Sequence, residues 1–409
     1  MLKLKRLTIH RYRNVKPGSQ LRFHDGVNLV LGQNASGKTS LLSLISAACR
    51  ASFERLKEEP FELEYVLESE RFTVGVKVSH LQASFSEDAE LVGVSLWDDA
   101  YEIVIESRQG EEKLRFSHED ELKGRRSLDI CGSGSFLMVA TLSRVREREE
   151  RLIGGLLRQL HDLEVAFRLD ESLDTFAVIT GRRSATVGPA VPPFWSTTGH
   201  VHFSKGGGGT NSADFIPRAL MSWAGEAELR VLFPGDFDLL AKLKTHLGVL
   251  DVEPLPNIVE RRGGNSFTFE GFTFQVTRVD ETTIHHDRLS YGQKRLLSFL
   301  YYLACNPSVV IADELVNGLH HRWIEACMNE IGARQAFLSS QNPLLFDYVT
   351  FDSVDHVQSA FVVCERELVD GRELMSWGNM PCSDAELFFR AYEAGIEHVG
   401  DILITRGLW

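Results

Sequence analysis

Three short stretches carry residue types at spacings suited to work on a phosphate chain. The first is Gly32-Gln33-Asn34-Ala35-Ser36-Gly37-Lys38-Thr39-Ser40, which fits G-x-x-x-x-G-K-[ST]. It follows a short apolar run, Val27–Leu31, that reads as a strand, and precedes a run from Leu41 that reads as a helix. In that setting the glycines let the loop curl so that backbone N–H groups face phosphate oxygens, and the helix start adds positive potential. Lys38 reaches the outer phosphates, and Thr39 offers its hydroxyl to Mg²⁺.

The second stretch is Val309-Val-Ile-Ala-Asp313-Glu314, an apolar strand that ends in two carboxylates. An acid at the end of a buried strand is costly without a cation, which suits Asp313 to the Mg²⁺ shell. Glu314 beside it is placed to polarise an attacking water as general base. The third stretch, Leu289-Ser290-Tyr291-Gly292-Gln293-Lys294-Arg295, opens a helix a helix's length ahead of the acidic strand. By itself it also reads as an N-capped helix with Ser290 or Gly292 at the start.

In this order the third stretch matches the L-S-x-G-Q signature, and the chain resembles the ABC-type ATPases. The resemblance implies that ATP is the cofactor and that Ser290, Gly292 and Gln293, with the helix start behind them, bind the γ-phosphate of a nucleotide held by the opposite protomer. Hydrolysis sites would then form when two copies meet head to tail, as a homodimer or a higher homo-oligomer. Lys38, Glu314 and Gln341 are the implied catalytic set. Within the class the chain is similar to the SMC/RecF/OLD-like branch. Its opening, Leu4-x-x-Leu-x-Ile-x-x-Tyr12-Arg13-Asn14, resembles that branch, in which the residues matching Arg13 and Asn14 lie near the nucleotide. Asp313-Glu314-Leu-Val-Asn317-Gly318-Leu319-His320 and Phe337-Leu-Ser-Ser-Gln341-Asn342-Pro343 look like its D-loop and switch segments. The likeness covers residues 1–50 and 280–350. At the switch, Gln341 stands where histidine is common. Glutamine donates a hydrogen bond but carries no charge, so the expectation is hydrolysis that is slow or partner-dependent. His285, His286, His320 and His321 are the neighbouring candidates to replace it, although such histidines are commonly polar surface. OLD-like enzymes commonly continue into a Toprim nuclease. The tail after Glu365 has no D-x-D, so a nuclease of the chain's own is not expected.

The elements that must position these groups alternate along the chain. Leu2–Ile9, Leu21–Phe23 and Val27–Leu31 read as strands, and Phe61–Leu67, Phe72–Val78 and Tyr101–Ile105 as antiparallel strands beside the nucleotide. Strand and helix then alternate from Ser266 to Ser339, the pattern of a helix-covered parallel sheet. The expected fold class is α/β: an ABC-ATPase fold, with a parallel P-loop core and an antiparallel β subdomain, plus a mixed, partly helical insertion. The expected segments are an N-terminal lobe at 1–116, an insertion at 117–264 and a C-terminal lobe at 265–409. The insertion includes a charged helical stretch, Leu142–Leu169, and a Pro/Gly-rich region.

The 409 residues carry 44 Lys+Arg against 57 Asp+Glu, a net charge of −13, so the chain as a whole repels a phosphate polymer. DNA contact is therefore local or supplied by a partner; Lys123, Arg125, Arg126, Arg182, Arg183, Arg261 and Arg262 are the candidates. The six cysteines are scattered with no C-x-x-C pair, which suggests neither a zinc site nor a disulfide framework. No apolar run approaches the roughly 20 residues of a membrane span, and no signal-peptide core opens the chain, so a cytoplasmic protein without membrane contact is expected. By analogy within the branch, it would control a separate effector, a nuclease or toxin, in antiphage defence. The alternative is a RecF/SMC-like repair ATPase whose ATP-joined dimer grips DNA. A transporter subunit fits less well, because about 250 residues separate Thr39 from Ser290.

Overall fold

The computed structural model describes residues 2–82, 97–108, 113–118, 238–262, 266–305, 308–369, 371–395 and 398–405, with short pieces at 130–131, 137, 168–169, 184–187 and 201–202. The charged stretch from Leu142, the Pro/Gly-rich region and the candidates Lys123, Arg125, Arg126, Arg182 and Arg183 lie outside them, apart from residues 168–169. By contacts the chain forms two units. One holds Met1–Arg168, Ser308–Leu315 and Ala333–Trp409, and the other Leu169–Pro307 and Val316–Gly332.

The first unit opens with strands β1 (Lys3–Tyr12), β2 (Ser19–Arg22) and β3 (Val27–Leu31), followed by helix α1 (Lys38–Arg50). Four strands come next: β4 (Phe61–Glu68), β5 (Phe72–Gln82), β6 (Trp97–Ser107) and β7 (Lys113–Ser117). A wholly antiparallel sheet runs in the order β2-β1-β4-β5-β6-β7. Strands β4 and β5 alternate buried and open positions as the sequence pattern requires. In β1 the buried residues fall at Leu4, Leu7, Ile9 and Tyr12, so the two-residue period breaks twice. It breaks where the β1–β4 register shifts, between Leu4 and Arg6 and between Ile9 and Arg11. Each irregularity resets the phase and keeps the apolar side chains on the core face.

A second sheet is built on β3. Short strand β8 (Arg168–Leu169) forms one edge beside β14 (Val309–Ala312), and the order continues through β15 (Gln335–Ser339), β3, β16 (Phe361–Val369) and β17 (Arg372–Asn379). β14, β15, β3 and β16 pair in parallel, and β17 returns antiparallel on β16. β14 and β15 are buried at every position, as strands covered on both faces must be. Gln335 ties this sheet to the first one. Its fully buried side chain accepts from Leu4 N at 2.8 Å and donates to Leu4 O and His24 O, both at 2.8 Å. The amide thus satisfies backbone groups that neither sheet's ladder reaches.

The second unit carries β9 (Ser184–Val187), β10 (Val201–His202), β11 (Asp251–Arg262), β12 (Ser266–Thr277) and β13 (Thr283–His285) in one sheet. Its helices are α2 (Leu239–Leu247), α3 (Tyr291–Cys305) and α4 (His321–Ile331). Asp238 caps α2 by accepting from Ala241 N at 3.0 Å, and Gly248 ends it in the left-handed region. Glu330 of α4 pairs with Lys242 and with His246 of α2, the latter at 3.1 Å. α4 starts at His321, after Gly318 at φ 74° and the extended His320 have turned the chain. In the first unit, α5 (Val354–Ala360), α6 (Cys382–Ala394) and α7 (Val399–Thr405) complete the chain. Cys49, Cys131, Cys327 and Cys364 are buried free thiols, and Cys382 is exposed. Among the described residues no helix is long and apolar enough to cross a membrane.

Candidate nucleotide site

The glycine-rich loop joins β3 to α1, as its sequence context requires. Two of its glycines are fixed by their surroundings. A Cβ on Gly32, at φ 139°, would come 2.2 Å from the Cys364 carbonyl; one on Gly37, at φ 90°, would come 2.3 Å from Met375 Sδ. Neither site has room for a side chain, and φ is unfavourable at both. Ala35 also takes a left-handed conformation, at φ 64°. Trp377, buried on β17, donates from its indole N–H to Ser36 O at 3.2 Å and holds the loop from beneath. The Lys38 ammonium donates to Gly32 O at 2.6 Å and Gln33 O at 3.1 Å, so it lies across the loop mouth. Gln33 and Asn34 are exposed.

The acidic strand end meets the loop. Thr39 Oγ1 donates to Asp313 Oδ2 at 2.6 Å, which places a hydroxyl and a carboxylate together at the start of α1. Ser339, at the end of β15, donates to the other Asp313 oxygen and accepts from Glu314 N at 3.2 Å. Gln341 N donates to Glu314 Oε2 at 2.8 Å. Asp313 and Glu314 are each only 4 % exposed. Glu314 adopts φ 54°, a left-handed conformation that costs a residue with a Cβ about 1 kcal/mol. Two adjacent buried carboxylates and a threonine hydroxyl form the hard oxygen donor set that a divalent cation takes, so these residues fit Mg²⁺.

Arg13 and Asn14 sit in the turn after β1. Arg13 has φ 46°, and its guanidinium lies 5.1 Å from the Tyr12 ring centre. It makes a bidentate pair with Glu59 at 2.6 and 2.8 Å and donates to Ser40 Oγ at 2.9 Å. The pairing holds the Glu59 carboxyl below the usual carboxylate range. Asn14 Nδ2 donates to Glu373 O at 3.3 Å, which clips the turn onto β17.

In the second unit Ser290 and Gln293 form a reciprocal cap on α3. Ser290 N donates to Gln293 Oε1 at 2.9 Å, and Gln293 N donates to Ser290 Oγ at 3.4 Å. Gly292 is buried against the next loop: a Cβ there would come 2.6 Å from Gly318 O and 2.9 Å from the Trp323 ring. The Trp323 indole is anchored by a hydrogen bond to His246 O at 3.0 Å.

The histidine candidates divide. His320 Nδ1 accepts from Arg322 N at 3.5 Å, a start cap for α4. His285, His286 and Asp287 bring their ligand atoms within 4.8 Å of one another. His286 Nδ1, however, accepts the Phe274 N–H at 2.9 Å, which puts the ring proton on Nε2 and leaves no lone pair for a metal. Burial pushes the His286 imidazole down to about 4.

Sequence motifs alone did not single out Ser339, Glu59, Met375 or Trp377. Ser339 stands inside the quoted switch segment, where a hydroxyl at a strand end two residues before Gln341 was a usable signal. The other three act through tertiary packing, which no local pattern carries.

A curled phosphate loop between strand and helix, with an acidic strand end hydrogen-bonded to its threonine, defines a P-loop nucleotide-binding protein. Residues 6–168 match the family described as "AAA domain", and residues 187–347 match "AAA domain, putative AbiEii toxin, Type IV TA system". Both matched segments are thus similar to AAA domains. Among solved structures it is similar to the SMC head domain from Thermotoga maritima, at 13 % identity and TM-score 0.38, covering 93 % of this chain and 99 % of that one. It is also similar to a Pyrococcus furiosus Smc head domain with an extended coiled coil bound to the C-terminal domain of ScpA, at 10 % identity and TM-score 0.38, covering 96 % and 100 %. No curated protein matches the chain.

Proposed function

We propose that this chain binds and hydrolyses ATP with Mg²⁺ at a site shared between two copies, and that the ATP-bound assembly controls a separate effector protein. The observation that carries the reading is the Thr39–Asp313 contact beside the buried Glu314 carboxylate. The loop's N–H groups and Lys38 hold the triphosphate, and Thr39 and Asp313 hold the metal, which supplies charge neutralisation at the phosphates. Glu314, fixed by the Gln341 amide, accepts the proton of the attacking water. Gln341 presents an exposed, uncharged side chain, which supports slow hydrolysis and an ATP-bound state that persists as a clamp.

Ser290, Gly292 and the start of α3 form a second phosphate-facing surface, and in this reading they meet the nucleotide of the partner copy. The toxin–antitoxin wording attached to the family matching residues 187–347 supports an effector-coupled role, with antiphage defence as the setting. The test uses two variants. Lys38→Ala is expected to abolish ATP binding. Glu314→Gln is expected to keep binding, slow hydrolysis by at least about 100-fold, and trap an ATP-dependent oligomer on a sizing column. Hydrolysis at the parental rate in Glu314→Gln would overturn the assignment of the base.

A further inference from the structure

β15 lies between β14 and β3, so its last residue stands between the acidic strand end and the strand that runs into the phosphate loop. The β14–β15 ladder closes on Ala312 beside Leu338, and the next pair in that register is Asp313 beside Ser339. Residues in register on neighbouring parallel strands turn their side chains to the same face. A serine at the end of β15 therefore meets the aspartate directly. On its other side Ser339 pairs in register with Val30 of β3. Ser339 is fully buried, whereas the hydroxyl of Ser340 turns into its own loop, donating to Asn342 O at 3.0 Å and accepting from Asn342 N at 2.8 Å.

One hydroxyl thus serves both acids. A serine has one proton to give and lone pairs to receive. The Glu314 N–H takes a lone pair at 3.2 Å, and the proton goes to Asp313 Oδ1. Thr39 donates to Asp313 Oδ2 at 2.6 Å, so each oxygen of that carboxylate is oriented as an acceptor. Glu314 is held at two points from the same strand end: its backbone by Ser339, and its carboxylate by Gln341 N at 2.8 Å. Its left-handed φ of 54° is a conformation that a residue with a Cβ keeps where the surroundings over-determine it, and these two bonds do so.

We propose that Ser339 is a positioning residue for ATP hydrolysis, whose single hydroxyl fixes the metal carboxylate of Asp313 and the base Glu314 relative to each other. It acts through these two acids and not by contact with the nucleotide. The inference rests on the Mg²⁺ and general-base assignments above. Without the hydroxyl, the Glu314 N–H is buried unpaired and Asp313 loses one of its donors. The loop glycines and Lys38 keep their own contacts.

The experiment compares the native chain with Ser339→Ala and Ser339→Thr, by calorimetry with ATP in Mg²⁺ and in excess EDTA, and by steady-state hydrolysis. In EDTA, Ser339→Ala is expected to bind ATP as the native chain does. Its gain in affinity on adding Mg²⁺ is expected to fall at least about threefold, and its kcat at least about tenfold. Ser339→Thr keeps the hydroxyl and is expected to recover both to within about threefold of native. A serine that only supported the fold would weaken ATP binding equally with and without Mg²⁺, or leave threonine no better than alanine; either result in a folded protein overturns the proposal. So does a Ser339→Ala chain that keeps its native Mg²⁺ gain or its native kcat. Urea unfolding identifies a threonine variant whose added methyl disrupts the buried site, in which case the alanine variant decides alone. A native chain that neither binds ATP more tightly with Mg²⁺ nor hydrolyses it would instead refute the phosphate-loop reading, and the role of Ser339 with it.

Discussion

Thr39 and Asp313, 274 positions apart in the chain, share a 2.6 Å hydrogen bond between hydroxyl and carboxylate. A metal bound there would be held by both, while Lys38 and the loop amides act on the phosphates themselves. Asp313→Asn should therefore separate the two contributions. The nucleotide is expected to bind with little difference between Mg²⁺ and excess EDTA, whereas the native chain should bind more tightly with Mg²⁺ by about tenfold or more. Calorimetry under both conditions reads the difference. An Asp313→Asn protein that kept the full Mg²⁺ effect would remove Asp313 from the metal site.

Gly292 packs its Cα against the Gly318 carbonyl and the Trp323 ring, so its requirement for glycine is steric. Gly292→Ala puts a methyl 2.6 Å from that carbonyl and must push the loop at Gly318 away from the start of α3. The expected cost is about 1–3 kcal/mol of stability. The expected functional pattern is retained ATP binding with loss of the ATP-dependent oligomer, because the altered surface is the one proposed to face the partner. Urea unfolding and sizing with ATP measure the two effects. An oligomer that still formed at the parental nucleotide concentration would place the partner contact elsewhere.

The parts of the fold legible in the sequence are those decided by local rules. Strand β14 falls where its unbroken apolar run places it, and the loop after β3 curls where its glycines demand it. The Ser290–Gln293 cap was legible in the same way, since serine followed three residues later by glutamine is a local signature. β1 was only partly legible, because two register irregularities shift its alternation. The bond from Trp377 to the loop carbonyl of Ser36 was not legible, and neither was the three-way anchoring by Gln335. Each joins positions more than 300 residues apart, and a lone buried polar residue announces nothing about which backbone groups it will satisfy. Glu59 belongs with these: an ordinary acid in sequence, it acquires its role by fixing Arg13 against Ser40.

His286 gives the second unit a pH dependence whose sign follows from its burial. The ring is 1 % exposed, accepts a hydrogen bond from Phe274 N, and has its imidazole lowered to about 4 by burial, with the neighbouring His285 adding to the effect. An unfolded histidine titrates near 6.5, so between about pH 6.5 and 4 the unfolded chain binds a proton that the folded chain refuses. Stability from this group is complete above pH 6.5 and drains away as pH falls toward 4, by on the order of 3 kcal/mol. Gln at the same position keeps an acceptor for the Phe274 N–H without titrating. In urea unfolding at pH 7.5 and pH 5.0, His286→Gln should lose less stability on acidification than the native chain. Equal losses in the two proteins would show that His286 is not the group responsible.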